Sequence, residues 1–358
     1  FRRLDLDGAC HKLHHEIHNS KKMTVIVAYR LPEAQKYRLI RSSREPLIIP
    51  SYASLSGLSG FVFAPFSVST SAPLLVIPAD DVQEYYCEKC KGETGTAGIE
   101  IVASDRDSYH EDFRRFRANL LSGRFQKVVL SRHIEVKSKE DLDPMHLFSR
   151  ACALYPHQFV CLVSTPRSGT WLMATPEELI ERKPGESLWH TMALAGTMRK
   201  TGAWKDKDCR EQQYVADYIG HSLSVYAEET VKSEPYTRMA ANLYHRCTDF
   251  HFSLKHDEEV GRVLSALHPT PAVCGIPKQA ALEFILNNES HERKYYSGFC
   301  GPLNMDGATH LYVSLRCMEI MDNVCRLYAG GGLLIDSEEK REWEETEIKL
   351  NTMLNVLR

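Results

Sequence analysis

Gln126-Lys127-Val128-Val129-Leu130-Ser131-Arg132 is a short apolar run, rich in β-branched residues and bounded by charge, and it reads as a buried strand continuing to Val136. Strand alternation puts Lys127, Val129 and Ser131 on one side and Val128, Leu130 and Arg132 on the other. A lysine opening an apolar strand ordinarily reaches water. Held inside, it becomes a candidate general base. Before this strand the periodicity predicts a helix from Ser108 through Leu121; after it come a helix ending at Leu154 and paired strands at Gln158 to Ser164 and Thr170 to Ala174. Long helices are expected at about Lys207 to Lys232 and Arg341 to Leu357, with strands at Leu311 to Leu315 and Arg326 to Ala329 between them. Helices and hairpins mix without a regular βαβ beat, which makes the chain α+β.

The first hundred residues carry strand-like runs at Thr24 to Tyr29 and Gly60 to Phe63, and serine- and proline-rich turns from Ser51 to Ser71. Cys10, His11, His14, His15 and His18 hold two histidine pairs at i,i+4 but lack the HExxH order of a zinc protease, so a solvated amphipathic helix is expected there. Cys87-Glu-Lys-Cys90 is half a zinc site with no second CxxC or HxxxH at a workable spacing. The polar stretch Lys89 to Gly98 is read as a loop that matches neither a P-loop nor GxGxxG.

With 358 residues, 43% of them hydrophobic, the chain can bury a sizeable core as one large domain or two ordinary ones. Its 44 basic and 47 acidic residues leave a net charge of -3, no footprint for nucleic acid or an anionic membrane. No apolar run approaches the roughly 18 to 20 residues that cross a bilayer, and Phe-Arg-Arg-Leu-Asp-Leu-Asp lacks the apolar core of a secretory signal. Eleven cysteines scattered from Cys10 to Cys325 fit reduced thiols. A cytoplasmic protein is expected.

Two charged stripes and several glycine turns carry the candidate chemistry. In Glu342-Trp-Glu-Glu345-Thr-Glu-Ile-Lys349, helical spacing puts Glu342, Glu345 and Lys349 on one face. Lys207, Asp208 and Glu211 make a similar stripe. Either alone is ordinarily a solvated face; two such stripes can instead converge on a hard cation, since Mg²⁺ takes a few carboxylates plus substrate oxygens. The acids of Thr175-Pro176-Glu177-Glu178 are either surface or, in a less polar pocket, proton-holding acids. Leu194-Ala195-Gly196-Thr197, His268-Pro-Thr-Pro-Ala272-Val273-Cys-Gly275 and Ala329-Gly330-Gly331-Gly332 are tight turns, or places where backbone N–H groups meet a small anion.

Taken in order, the segments KVVLSR, TPEEL, LAGT, HPTPAVCG and EWEET resemble those of the chorismate-utilising enzymes, the isochorismate, salicylate, anthranilate and aminodeoxychorismate synthases. The likeness runs from Ser108 to the end, about 250 residues. It implies two packed antiparallel β-sheets flanked by helices with the active site in a cleft between them, residues 1–107 adding strands and helices to the core and residues 108–358 forming the chorismate-binding catalytic region. It further implies that Lys127 activates water, that Glu177 protonates the departing hydroxyl, and that Mg²⁺ is bound directly by Glu211 and Glu345 with Asp208 and Glu342 in the outer shell. Arg316, Tyr296 and Lys349 would receive the enolpyruvyl carboxylate, His245 would lie beside the ring, and Gly196, Thr197, Gly298 and Gly330 would supply backbone and hydroxyl contacts. Asp208 departs from the longer glutamate of salicylate-type relatives, and Ala-Gly-Gly-Gly from the usual alanine-glycine-alanine-glycine.

Within this family, the branches that use ammonia typically lack a lysine at the Lys127 position, so the resemblance implies water as nucleophile and no glutaminase subunit. The reaction implied is the Mg²⁺-dependent conversion of chorismate to isochorismate by attack at C2 with loss of the C4 hydroxyl, serving menaquinone or siderophore synthesis. The salicylate branch keeps the lysine and goes on to eliminate pyruvate, but tends to carry threonine where this chain has Ala272. Thr352-Met-Leu-Asn-Val-Leu also resembles isochorismate synthases. A homologue that binds metal or ligand without catalysis is the alternative of another class, and a monomer is expected.

Overall fold

A computed structural model describes residues 25–87, 98–103, 105–198, 202–240, 243–256 and 259–358. The histidine cluster between Cys10 and His18, together with Cys90 and nearly all of the Lys89 to Gly98 loop, lies outside the described residues.

Two ten-stranded antiparallel sheets make the framework. The first runs through Gly275–Ile276, Lys127–Ser138, Val324–Leu333, Cys317–Met321, Gly169–Thr175, Phe159–Thr165, Val25–Arg30, Lys36–Ser42 and Asp81–Tyr86, with Ile99–Ala103 also on Lys127–Ser138. The second runs through Ala227–Lys232, Leu243–Leu254, Trp189–Met198, Glu178–Arg182, Thr309–Val313, Phe299–Leu303, Gly60–Ala64, Leu74–Ile77 and Leu47–Ile49, with Tyr236–Ala240 also on Leu243–Leu254. Strands from the first hundred residues thus pair into both sheets. Between the sheets lies a core of Val27, Tyr29, Trp171, Tyr328 and Cys317 from one and Phe61, Phe63, Leu75 and Tyr312 from the other.

Six α-helices occur among the described residues: α1 (Arg106–Leu121), α2 (Pro144–Leu154), α3 (Asp206–Tyr226), α4 (Val260–Leu267), α5 (Lys278–Asn288) and α6 (Glu339–Leu357). In α1, Tyr109, Phe113, Phe116 and Leu120 recur at helical spacing and pack on Val128 and Leu130, the outward side of the opening strand. Each such fully buried side chain contributes about 1.5–3 kcal/mol. α2 begins where Asp143 accepts hydrogen bonds from the N–H groups of Met145 (2.8 Å) and His146 (3.4 Å) ahead of Pro144 at the first helical position. Val215, Ala216, Ile219 and Leu223 seat α3 on the second sheet, and Leu350, Met353, Leu354 and Leu357 seat α6 against the first.

One boundary differs in kind from the sequence reading. The helix expected to reach Lys232 ends at Tyr226, and Ala227–Lys232 is a strand on Leu243–Leu254. No glycine or proline interrupts Tyr226 to Lys232, so local pattern offers no stop; the backbone is claimed by a partner strand later in the chain.

Replacing Asp143 with alanine removes the side-chain cap of α2 and is expected to lower stability by about 1 kcal/mol, read as a shift of the urea midpoint at unchanged m-value.

Candidate active site

Adjacent antiparallel strands make the floor of the site. Val129, Leu130 and Ser131 pair with Gly332, Gly331 and Gly330. Lys127 is not the water-reaching strand end that a lone lysine suggests: it is 0% exposed, and its Nζ lies 3.0 Å from Glu211 Oε1 near the start of α3. The contact is an ion pair without hydrogen-bond alignment, so the ammonium has a counter-charge but no acceptor among the described residues. Gly332 makes the approach feasible. A Cβ there would sit 2.8 Å from Lys127 Cε and 3.0 Å from Glu211 Cδ, nearer than side-chain carbons come to one another. At Gly331, the position where alanine is usual, a Cβ would meet Glu342 Oε2 at 3.4 Å and Glu345 Oε1 at 3.9 Å, both ordinary contacts.

The stripe on α6 faces inward, not to solvent. Glu342 is buried and ion-paired with Lys207 of α3; Glu345 takes Lys349 at 2.6 Å and the Thr197 hydroxyl at 3.3 Å. Lys349 also donates to the Gly330 carbonyl at 2.8 Å. Asp208 lies beneath Gly196, whose left-handed backbone (φ 73°) leaves room for a Cβ only 3.0 Å from that of Asp208. The acids feel one another: burial and then Glu211 raise Asp208 above the usual carboxylate range, and Glu342 is pushed up to about 6 by burial and by Glu345 against the pull of Lys207. Burial pushes Glu345 up, yet it stays below its ordinary value because Lys349 and Lys207 together offset that burial. Four carboxylates drawn together from two helices offer oxygen donors of the kind that could hold a hard divalent cation. Lys207, which sequence reasoning left without a role, is the counter-charge that lets Glu342 sit inside.

These groups border a cleft of about 670 Å³, its open mouth included. It is lined by Glu177, Gly196, Thr197, Glu211, His245, Ala272, Tyr296, Arg316, Gly330, Glu345 and Lys349. Both members of the Glu177-Glu178 pair are buried. Burial raises Glu177 to about 7, although Lys127, Arg316 and Lys349 all pull the other way. His245 is held down to about 3 by burial and by Arg316 and Lys349, so the ring is neutral. The Gly196 carbonyl, 2.9 Å from Nδ1, can only accept, which fixes the tautomer: Nδ1 carries the proton and Nε2 is a buried acceptor with no partner among the described residues. Arg316, in a left-handed backbone (φ 46°), is buried at the cleft with no ion pair to a described carboxylate. Tyr296 stacks on Tyr328 (5.4 Å between ring centres), and its hydroxyl lies 2.8 Å from where a Cβ on Gly330 would be.

Gly298 is the exception among the expected contacts. It does not line the cleft: it packs at the end of the second-sheet strand Gly60–Ala64, where a Cβ would strike the Ala64 carbonyl and Pro65, and its conformational need is packing. Lys127, expected as the base, and Asp208 and Glu342 stand behind the lining, not in it; Lys127 reaches the cleft through Glu211, which does line it. Val129, Leu194, Ala195, Leu315 and Tyr328 also line the cleft and were not foreseen; alternation from Lys127 marks Val129, and the motif Leu-Ala-Gly-Thr contains the next two.

The model of one protein family, described as chorismate binding enzyme, matches residues 82–358. The chain belongs to that family. The isochorismate synthase EntC of Escherichia coli K12 is 31% identical over 265 residues, 70% of this chain and 67% of its own length. DhbC of Bacillus subtilis, also an isochorismate synthase, is 27% identical over 349 residues, 92% of this chain and 85% of its own. Among solved structures, DhbC from Bacillus anthracis superposes with a TM-score of 0.79 at 24% identity, covering 97% of this chain and 99% of that one. Anthranilate synthase component I from Streptococcus pneumoniae superposes at 0.66 and 14%, covering 95% and 93%. The two-sheet fold is therefore that of the chorismate-binding enzymes. None of the described helices is long and apolar enough to cross a membrane.

Gly332→Ala is expected to cost the enzyme at least 100-fold in turnover by forcing Lys127 and Glu211 apart, whereas Gly331→Ala retains turnover within about threefold; steady-state kinetics on both purified variants checks the contrast.

Proposed function

We propose that the chain is a Mg²⁺-dependent isochorismate synthase, converting chorismate to isochorismate. The observation that carries this reading is the pairing of opposite protonation roles around one cleft: a fully buried lysine tied to Glu211, and Glu177 held protonated up to about pH 7. EntC and the Bacillus subtilis DhbC are named isochorismate synthases, which supports the same reading.

In this mechanism Lys127, once its resting ammonium has released a proton, takes a proton from water as the oxygen attacks C2 of the ring, the double bonds shift, and Glu177 gives its proton to the C4 hydroxyl leaving as water. One water enters and one leaves, so the reaction is an isomerisation. Burial suits Glu177 to the task, because a desolvated carboxyl keeps its proton until a group nearby develops negative charge. Arg316 and Lys349 supply the positive charge that binds the enolpyruvyl carboxylate, the guanidinium through its two-pronged fork. His245, neutral with Nε2 free to accept, orients a ring hydroxyl. Bound Mg²⁺ would neutralise the crowded acids and anchor the ring carboxylate, with Glu211 and Glu345 as ligands and Asp208 and Glu342 behind them. Water as nucleophile removes the need for a glutaminase partner. Isochorismate made here would serve menaquinone or siderophore synthesis, and Ala272 at the cleft wall fits a reaction that stops before pyruvate is lost.

Chromatography of products from purified protein and chorismate, with and without Mg²⁺ and beside a pyruvate assay, tests the reading. Isochorismate without pyruvate is expected; salicylate with stoichiometric pyruvate would assign the lyase-competent branch, and no consumption would leave only a binding protein. Lys127→Ala and Glu177→Gln should each lower turnover about 10²- to 10⁴-fold with an unchanged circular-dichroism spectrum, and full activity in either would remove that residue from its role. Glu345→Ala should raise the Mg²⁺ concentration needed for half-maximal rate, and an unshifted titration would take Glu345 out of the metal site. Because Glu177 is the proton donor and loses its proton as pH rises through about 7, turnover should fall on the alkaline side of that value, and a rate that climbs steadily to pH 9 would contradict its assignment as acid.

A further inference from the structure

On the sheet that carries Glu177, a second group of ionisable side chains lies outside the cleft. The strand Glu178–Arg182 is flanked by Trp189–Met198 and Thr309–Val313, and the register sets His190 and His310 directly across from Glu181 on its two sides, with His251 across from His190. Directly opposed residues share a face, so His251, His190, Glu181 and His310 form one row over four strands. Glu178, three positions from Glu181, would face the other way on a regular strand; a bulge between Glu178 and Ile180 turns it to the same side.

The ligand atoms of Glu178, Glu181 and His190 lie within 4.8 Å of one another. Outer partners orient two of them. His190 turns Nδ1 to Glu178 while Nε2 lies 3.1 Å from Asp249 Oδ1, and Glu181 Oε1 takes His310 Nδ1 at 2.7 Å. A histidine whose far nitrogen is held by a carboxylate while the near one meets further carboxylates is the usual setting of a metal-bound imidazole. None of these residues lines the cleft.

We propose that Glu178, Glu181 and His190 form a second divalent-metal site, distinct from the carboxylate cage of the cleft and selective for a transition ion of the Zn²⁺ type over Mg²⁺. An imidazole nitrogen with two carboxylates suits Zn²⁺ or Co²⁺, whereas Mg²⁺ prefers oxygen alone. On binding, His190 gives up its Nδ1 proton to solvent and the ion takes its place between Glu178 and Glu181. Asp249 keeps the imidazole oriented through Nε2, and His310 orients Glu181. The ion would pin the start of the strand immediately after Glu177. The inference does not depend on the reaction proposed for the cleft.

The test uses the full chain, stripped with chelator and titrated calorimetrically with Zn²⁺ in millimolar Mg²⁺, with Co²⁺ as a spectroscopic probe. One equivalent of Zn²⁺ should bind, with His190→Gln and Glu181→Gln weakening it at least 100-fold and Glu345→Ala leaving it unchanged. His310→Gln, which alters an outer partner only, should weaken binding about 10- to 100-fold and serves if the inner variants do not fold by circular dichroism. The proposal is overturned if no Zn²⁺ is taken up, if uptake survives His190→Gln in a folded chain, or if Glu345→Ala alone abolishes it. It is equally overturned if His190 remains doubly protonated by NMR with Zn²⁺ present, since the row would then be an ion-pair network closed by a proton.

Discussion

A buried lysine facing a glutamate across a glycine holds this active site together. Lys127 has no exposure and Glu211 little, and the two meet only because Gly332 leaves the space between them open. A charge taken out of water is tolerated when its partner stays in place, so three separate pieces of chain depend on one another here: the opening strand, the glycine run of its neighbour, and the first turns of α3. α6 joins the same arrangement through Glu342 and Lys207. Moving any one of them would strand a charge in the interior.

The wider electrostatics follow from uneven burial. On the helix side, Asp208, Glu211, Glu342 and Glu345 outnumber the lysines that answer them, and the raised values of Asp208 and Glu342 record the crowding. Glu177 is in the opposite position. Three cations act on it, yet desolvation prevails and keeps it protonated to about neutrality. One cleft thus holds Glu345 below its ordinary value where a cation would bind and Glu177 neutral where a hydroxyl must leave. That contrast is set by packing, since the residue types are the same.

Much of the framework is legible from pattern. The alternation in Lys127 to Arg132 correctly separates Val128 and Leu130, packed under α1, from Val129, at the cleft. The spacing that puts Glu342, Glu345 and Lys349 on one helical face holds too, but nothing local says whether such a face meets water or a cavity; here it meets the cleft, because α6 buries Leu350, Met353 and Leu354 on the sheet beside it. Glu178 shows the same gap at single-residue scale: only a bulge, which depends on its neighbour Thr309–Val313, turns it to the side of Glu181. Gly298 is the converse, a glycine whose motif suggests ligand contact and whose surroundings demand close packing.

Residue type, order and spacing settle the class of fold and the shared face of Glu342, Glu345 and Lys349, because short-range periodicity acts within a few residues; most other side chains around the cleft were legible only through the resemblance of the ordered motifs to the chorismate-utilising enzymes. Which charges are buried, which acid keeps its proton and which nitrogen of His245 accepts come from the folded chain alone. Lys127 and Glu211 are far apart in sequence, as are Lys207 and Glu342, and desolvation and Coulomb interaction act on distances that exist only once two sheets and two helices have closed around the same space.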